Sequence, residues 1–357
     1  MADQNAFPIF DGHNDTLLNL HLSERGGGRS FFVRSEQGHI DLPRARLGGF
    51  GGGFFAIYTP DPAPDLRKED RLIATETGYE VLPYSAIDPA YAQRFTLAVA
   101  ARLFRLEAEA EGQLKVVRTA DELADCLHQG VLAAIMHIEG AEAIDPDLDT
   151  LEVLYRAGLR SLGIVWSRPN IFAHGVPFKF PHTPDTGPGL TEAGQALVRA
   201  CNRLGIMLDL AHLNEKGFWD VARLSEAPLV VTHAAAHALC PSTRNLTDQQ
   251  LDAIKASDGM VGVVFEVSNL RADSAQDANT PLETVIRHVD YLVEHLGIER
   301  VGFGSDFDGG ITPPQDISDV SGLPKLLAAL RAHGYDDAAL RKLTHENWLR
   351  VLRRTWR

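Results

Sequence analysis

The 357-residue sequence predicts an α/β fold, and within that class a (β/α)8 TIM barrel with an extended carboxy-terminal helical segment. Three observations lead there. Eight short, nearly continuous apolar runs alternate with longer amphipathic ones, the pattern of parallel strands covered by helices on both faces. They fall at 7–15, 53–59, 130–140, 159–166, 205–212, 228–234, 259–265 and 300–309. Five of them end in ionisable side chains: His13 and Asp15, Glu139, His212, His233, and Asp306 with Asp308. An open sheet gathers function at one switch point, whereas a barrel brings many strand ends to one mouth. Finally, no linker or low-complexity tract divides the chain, so residues 1–357 are expected to form one barrel domain.

The helix-like segments between the strands are 69–110, 147–157, 190–203, 215–225, 247–257 and 281–296, followed by 318–332 and 336–354. Thr247 and Gln250 have the spacing of a capping box, which satisfies two otherwise unpaired amides. Gly51–Ala56 contains a GxGxxA string, but it precedes a strand instead of opening a helix. It therefore reads as a turn into the second strand and not as a dinucleotide site. The Pro-, Gly- and His-rich stretch 167–189 is too long to be an idle connection and is expected to be functional.

Composition excludes several classes. With 45% hydrophobic and 23% charged residues the chain can build a large core, so disorder is ruled out. A net charge of −14 argues against nucleic-acid and anionic-membrane partners, both of which attract concentrated positive charge. No apolar run approaches the roughly 18 residues of a membrane helix. The opening MADQNAFPIFDGHND has neither a basic nor an apolar leader region, and Cys126, Cys201 and Cys240 form no disulfide framework. A cytoplasmic enzyme is expected.

The chemistry lies at the strand ends. His13 and Asp15, two apart, project to the same side of the first strand and offer nitrogen and oxygen to a divalent transition metal. The alternative is that Asp15 caps the next helix and His13 is a satisfied core histidine. Glu139 sits in an otherwise apolar run, where a carboxylate is costly unless paired or metal-bound. His137 on the same face and Glu142 just beyond leave the choice of ligand open. His212 and His233 end strands five and six. Asp306 and Asp308 share a face at strand eight, where one carboxylate could act as general base and the other orient a loop. HENWL (345–349) begins like a zinc-protease helix but has Leu349 at the second histidine position.

In this order FDGHND, HIEG, DLAH, VTHAAAHALCPSTRNLTDQQL and GFGSDFDG resemble the successive motifs of the membrane (renal) dipeptidase family of zinc metallopeptidases, within the amidohydrolase superfamily. The resemblance runs from residue 10 to about residue 310. It implies a (β/α)8 barrel and two zinc ions bridged by a glutamate and a hydroxide. His13 and Asp15 would bind one ion, His212 and His233 the other, and Glu139 would bridge them. Asp306 matches the general base and acid, and Arg244 the arginine that grips the substrate's free carboxylate. The implied activity is hydrolysis of dipeptides, with a carboxy-terminal residue of L or D configuration. A homodimer is the expected assembly.

Mammalian members of the family carry a histidine after strand four that assists the tetrahedral intermediate, and Trp166 aligns with it. Arg168, His174 or Asn170 in the long loop are expected to compensate, with Trp166, Arg168 and His174 as substrate-binding residues beside Arg244. The rival activities are deacetylation or lactone hydrolysis at the same metal site, for which a carboxylate clamp has less purpose.

Overall fold

The computed structural model describes residues 7–62 and 69–356. Eight parallel strands close into a barrel: β1 (Ile9–Asn14), β2 (Phe50–Tyr58), β3 (Leu132–Glu139), β4 (Ser161–Gly163), β5 (Met207–Asp209), β6 (Val230–Ala234), β7 (Met260–Val263) and β8 (Val301–Phe303). Each pairs with its sequence neighbour, and β8 returns to β1 through Asp11 opposite Phe303. All eight predicted runs therefore contain a strand. The β2–β3 register runs from Gly52 opposite Ala133 to Tyr58 opposite Glu139, so both strands deliver a side chain at the same height.

Glycine makes part of this closure possible. Gly52 has φ of +149°, and a Cβ there would stand 2.2 Å from the Ala133 carbonyl oxygen. The expected turn at Gly51–Ala56 is thus corrected: those residues lie inside β2, where missing side chains let neighbouring backbones approach.

Helices cover the outside, and the Thr247–Gln250 capping box starts Asp248–Ala256 as expected. The expected helix over 69–110 is corrected too. Apart from a single 3-10 turn at Glu69–Arg71, only Pro89–Glu109 is helical, opened by Pro89 and by Asp88, whose side chain accepts from the Tyr91 amide. Upstream, Leu72–Ala74 and Tyr79–Val81 form an antiparallel hairpin that Lys179–Phe180 extends. The Thr75–Gly78 turn explains the difference: the Thr75 amide donates to the Gly78 carbonyl, and a Cβ on Gly78 would collide with Phe180. A short strand, Leu114–Val116, and a helix, Ala120–Gln129, complete the β2–β3 crossover.

The core has two large parts, one between strands and helices and one inside the barrel, besides a small cluster of Ile87, Ala92 and Ala143. Inside, fully buried Trp348 packs against Phe10 and Phe54 at ring-centre distances of 6.0 and 5.4 Å. Gly12, Gly262 and Gly302 make room for it, since a Cβ on any of them would lie 2.6–3.1 Å from the indole. The HENWL segment is therefore the barrel's plug, delivered by the carboxy-terminal helix Asn347–Thr355. Among the described residues no helix is long and apolar enough to cross a membrane.

Candidate metal centre

With its lower interior filled, the barrel opens at the carboxyl ends of its strands, and five expected ligands meet there. His13, Asp15, Glu139, His212 and His233 are all buried. Glu139 stands between two groups. Its Oε2 lies 3.8 Å from His13 Nε2, which is 3.4 Å from Asp15 Oδ2. Its Oε1 lies 3.1 Å from His212 Nε2 and 3.7 Å from His233 Nε2. Each triplet keeps its ligand atoms within 4.8 Å of one another.

The donors fit metal ions. His13 Nε2 and Asp15 Oδ1 are buried without a hydrogen-bond partner among the described residues, an arrangement that ligation of a metal ion by the neutral imidazole and the carboxylate would satisfy. Asp15 precedes the helix Thr16–His21 but makes no side-chain cap bond, so the capping alternative is not realised. His212 Nδ1 is bonded to Ser167 Oγ at 2.7 Å, and His233 Nδ1 to Thr232 Oγ1 at 2.9 Å. Such bonds aim the opposite ring nitrogens. His212 sits in the left-handed region at φ +63°, a backbone cost that turns its ring into the mouth. Asp209 also comes within ligand range of His13 and His233, but its Oδ2 accepts from Thr232 Oγ1 at 2.5 Å, and through that hydroxyl it braces His233.

Electrostatics point the same way. Burial pushes His212 and His233 well below the ordinary histidine range, helped by Arg244 and His13, which leaves neutral imidazoles suited to ligation. Burial alone would lower His13 as well. Glu139, Asp15 and Asp306 outweigh it and raise His13 to about 10. Burial drives Glu139 well above the usual carboxylate range.

Asp306 is half-buried at the end of β8, with φ of +62° and its amide donating to the His13 carbonyl at 3.0 Å. Burial raises it to about 7, with His13 and Arg244 pulling the other way. Asp308 has a different task. Its carboxylate accepts from Thr16 Oγ1, Asn19 Nδ2 and the His39 amide, tying the β1 and β8 loops together. Two other candidates for the bridging position also resolve. His137 lies below the mouth, bonded to Ser161, and Glu142 pairs with Arg168 at 2.6 Å.

Above these groups lies a cavity of about 530 Å³, lined by Asp15, Glu139, His212, Arg244, Asp306 and Trp166 among others. Buried Arg244 reaches it from the segment after β6, its guanidinium 3.4 Å from the His233 carbonyl. Trp166 forms a wall, packed on Tyr58, Tyr84 and Phe178 at 4.9–5.6 Å. Arg168 and His174 do not line the cavity. Arg168 is buried and held by Glu142, the Thr59 carbonyl and Tyr58. Asn170 is spent on loop backbone groups.

Several lining residues escaped the sequence reading. Tyr58 and Glu266 carried a signal, since each stands at or just beyond a strand end as Glu139 does. Tyr84 and Phe178 come from irregular segments and Arg25 from the single 3-10 turn Ser23–Arg25, none with a periodicity to mark it.

A closed parallel barrel whose strand ends gather histidines and carboxylates under one cavity defines a metal-dependent hydrolase. The chain belongs to the membrane dipeptidase family (peptidase family M19), whose model matches residues 3–356. It is similar to the crystal structure of a metallo peptidase from Rhodobacter sphaeroides liganded with a phosphinate mimic of the dipeptide L-Ala-D-Ala. The identity is 54%, the TM-score 0.94, and the match covers 98% of this chain and 100% of that one. A second structure, described as dipeptidase AC, a metallo peptidase of family M19, is 55% identical with a TM-score of 0.93, covering 98% and 99%. A Klebsiella pneumoniae protein described by its place in the pqqA 5′ region is 50% identical over 254 residues, 71% of this chain and 93% of that protein.

Proposed function

We propose that residues 1–357 form one binuclear zinc dipeptidase, hydrolysing the peptide bond of L-Xaa-L-Xaa or L-Xaa-D-Xaa dipeptides. The observation that carries the reading is the position of Glu139, one oxygen toward His13 and Asp15 and the other toward His212 and His233. The phosphinate dipeptide mimic in the Rhodobacter sphaeroides relative supports the substrate class.

His13 and Asp15 would hold one ion, His212 and His233 the other, with Glu139 shared. Bound there, two dications supply polarisation of the scissile carbonyl and make the attacking water more acidic. Asp306 accepts the water's proton on its carboxylate and delivers it to the departing amine nitrogen. Burial raises Asp306 above the ordinary carboxylate range, which makes it a better proton acceptor than an exposed aspartate. Arg244 presents a planar fork to the substrate's α-carboxylate, which measures where the peptide ends and selects dipeptides over longer chains. Trp166 walls the acyl side. Arg168 supports it from outside the cavity, its guanidinium 5.0 and 5.5 Å from the Tyr58 and Trp166 ring centres. His174 contributes through its carbonyl, which accepts from the Asn214 amide.

The test is a library of L-Xaa-L-Xaa and L-Xaa-D-Xaa dipeptides incubated with purified, zinc-loaded protein. Release of free amino acids is expected. No release from any member, with turnover of N-acetyl amino acids or lactones instead, would overturn the reading.

A further inference from the structure

We propose that Arg25 makes the cavity selective for dipeptides whose carboxy-terminal residue has an acidic side chain. The inference rests on the dipeptidase reading, which fixes how the substrate lies. The cavity has two unlike halves. Segments after β2 and β4 supply an aromatic half, with Tyr58, Trp166 and Phe178. Segments after β6, β7, β8 and β1 supply a polar half that holds Arg244, Glu266, Asp306 and Arg25, with the Glu266 carboxylate already accepting from the Ser268 and Thr312 amides and from Gln276 Nε2. The leaving amine receives its proton from Asp306, and the carboxylate next to it pairs with Arg244. The carboxy-terminal residue therefore occupies the polar half, and the acyl residue faces the aromatic one.

Arg25 is the second cation of that polar half. It is half-buried, and one guanidinium nitrogen donates to the Asp308 carbonyl at 3.2 Å. That bond fixes its head on the turn that carries Asp306. A Cβ on Gly310 would lie 3.2 Å from the same guanidinium, so the head packs against the Gly310 backbone. A Cβ on Gly309, in turn, would lie 2.2 Å from Asp306 Oδ1, which puts Arg25 one residue along the loop from the general acid. Among the described residues no carboxylate stands within ion-pair distance of Arg25, whereas Arg168 has one and Arg44 and Arg271 have two each. A guanidinium has five N–H donors, and this one spends few of them on protein. A substrate side-chain carboxylate would complete it, while Arg244 is engaged by the α-carboxylate.

The experiment compares matched pairs in the zinc-loaded enzyme: Ala-Asp with Ala-Asn and Ala-Glu with Ala-Gln, in L and D carboxy-terminal series. In the native protein kcat/KM for the acid is expected to exceed that for the amide by about tenfold, the strength of a partly solvated charge-assisted hydrogen bond. In Arg25→Met the ratio falls to about one, and in Arg25→Gln it does the same while the Asp308 tether survives. Because the ratio is internal to each variant, a general loss of activity does not imitate the effect. Equal rates for acid and amide in the native enzyme, or an unchanged ratio in either variant, would overturn the role of Arg25. Failure to cleave any of the dipeptides would instead remove the dipeptidase reading, and the inference with it.

Discussion

His212 and His233 bring their Nε2 atoms to 3.2 Å from each other, although one follows β5 and the other ends β6. Thr232 Oγ1 donates to Asp209, so it accepts from His233 Nδ1–H and leaves His233 Nε2 unprotonated. Two nitrogens aimed at one point beside Glu139 Oε1 repel one another unless a cation or a proton lies between them. The fold has placed a ligand pair there ahead of the metal.

Metal uptake is expected to release protons. In the metal-free protein His13 is raised to about 10, against the pull of burial, by Glu139, Asp15 and Asp306. At pH 7.5 its ring is therefore protonated, and ligation requires the neutral form. Affinity should rise with pH, by about tenfold per unit for each proton displaced, up to that pKa. Calorimetric titration of zinc in two buffers of different ionisation enthalpy measures the release directly. Identical heats in the two buffers would contradict it.

Asp306→Asn should retain its metal and lose about 10²- to 10⁴-fold in kcat, the usual worth of a positioned acid–base group. The base works ionised, so kcat/KM falls as pH drops through its pKa. Burial sets that pKa at about 7 without metal, and nearby dications favour the anion, so the acid limb should lie below 7 in the loaded enzyme. A pH–rate profile with metal analysis of both proteins checks the pair of expectations.

Arg244→Met should lower kcat/KM for dipeptides by about 10²-fold, mostly by removing a bidentate, buried contact. The carboxy-terminal amide of the same dipeptide lacks the matching charge and should lose far less. Steady-state kinetics on the acid and amide of one sequence give the answer.

Trp348→Ala should cost about 3–5 kcal/mol, as expected for emptying a large, fully buried aromatic site. The surrounding Gly12, Gly262 and Gly302 have no side chains to collapse into the space. Urea denaturation read by far-UV circular dichroism measures the loss, and a change below 1 kcal/mol would show that the interior plug is dispensable.

The features legible in the sequence were those enforced by periodicity or burial cost. Continuous apolar runs marked all eight strands because both faces of a barrel strand are covered. Glu139 stood out because an acid in such a run needs a reason. The hairpin at Leu72–Val81 was hidden, since exposed Leu72 and Ile73 show no buried face and pairing alone makes the strand. The Leu114–Val116 strand is too short to leave a pattern. Arg168 looked available because loop position says nothing about partners, and Glu142 and Thr59 hold it away from the cavity. Arg25, at the end of a short 3-10 turn, and Phe178, in irregular chain, reach the cavity through tertiary contacts, which spacing does not encode.

The shared carboxylate of Glu139 is tested most directly by anomalous diffraction at the zinc edge on crystals of the loaded protein. Two peaks about 3.5–4 Å apart are expected, one beside His13 and Asp15, the other beside His212 and His233, with Glu139 touching both. A single peak, or density bound elsewhere while those five side chains stay unliganded, would contradict the binuclear assignment.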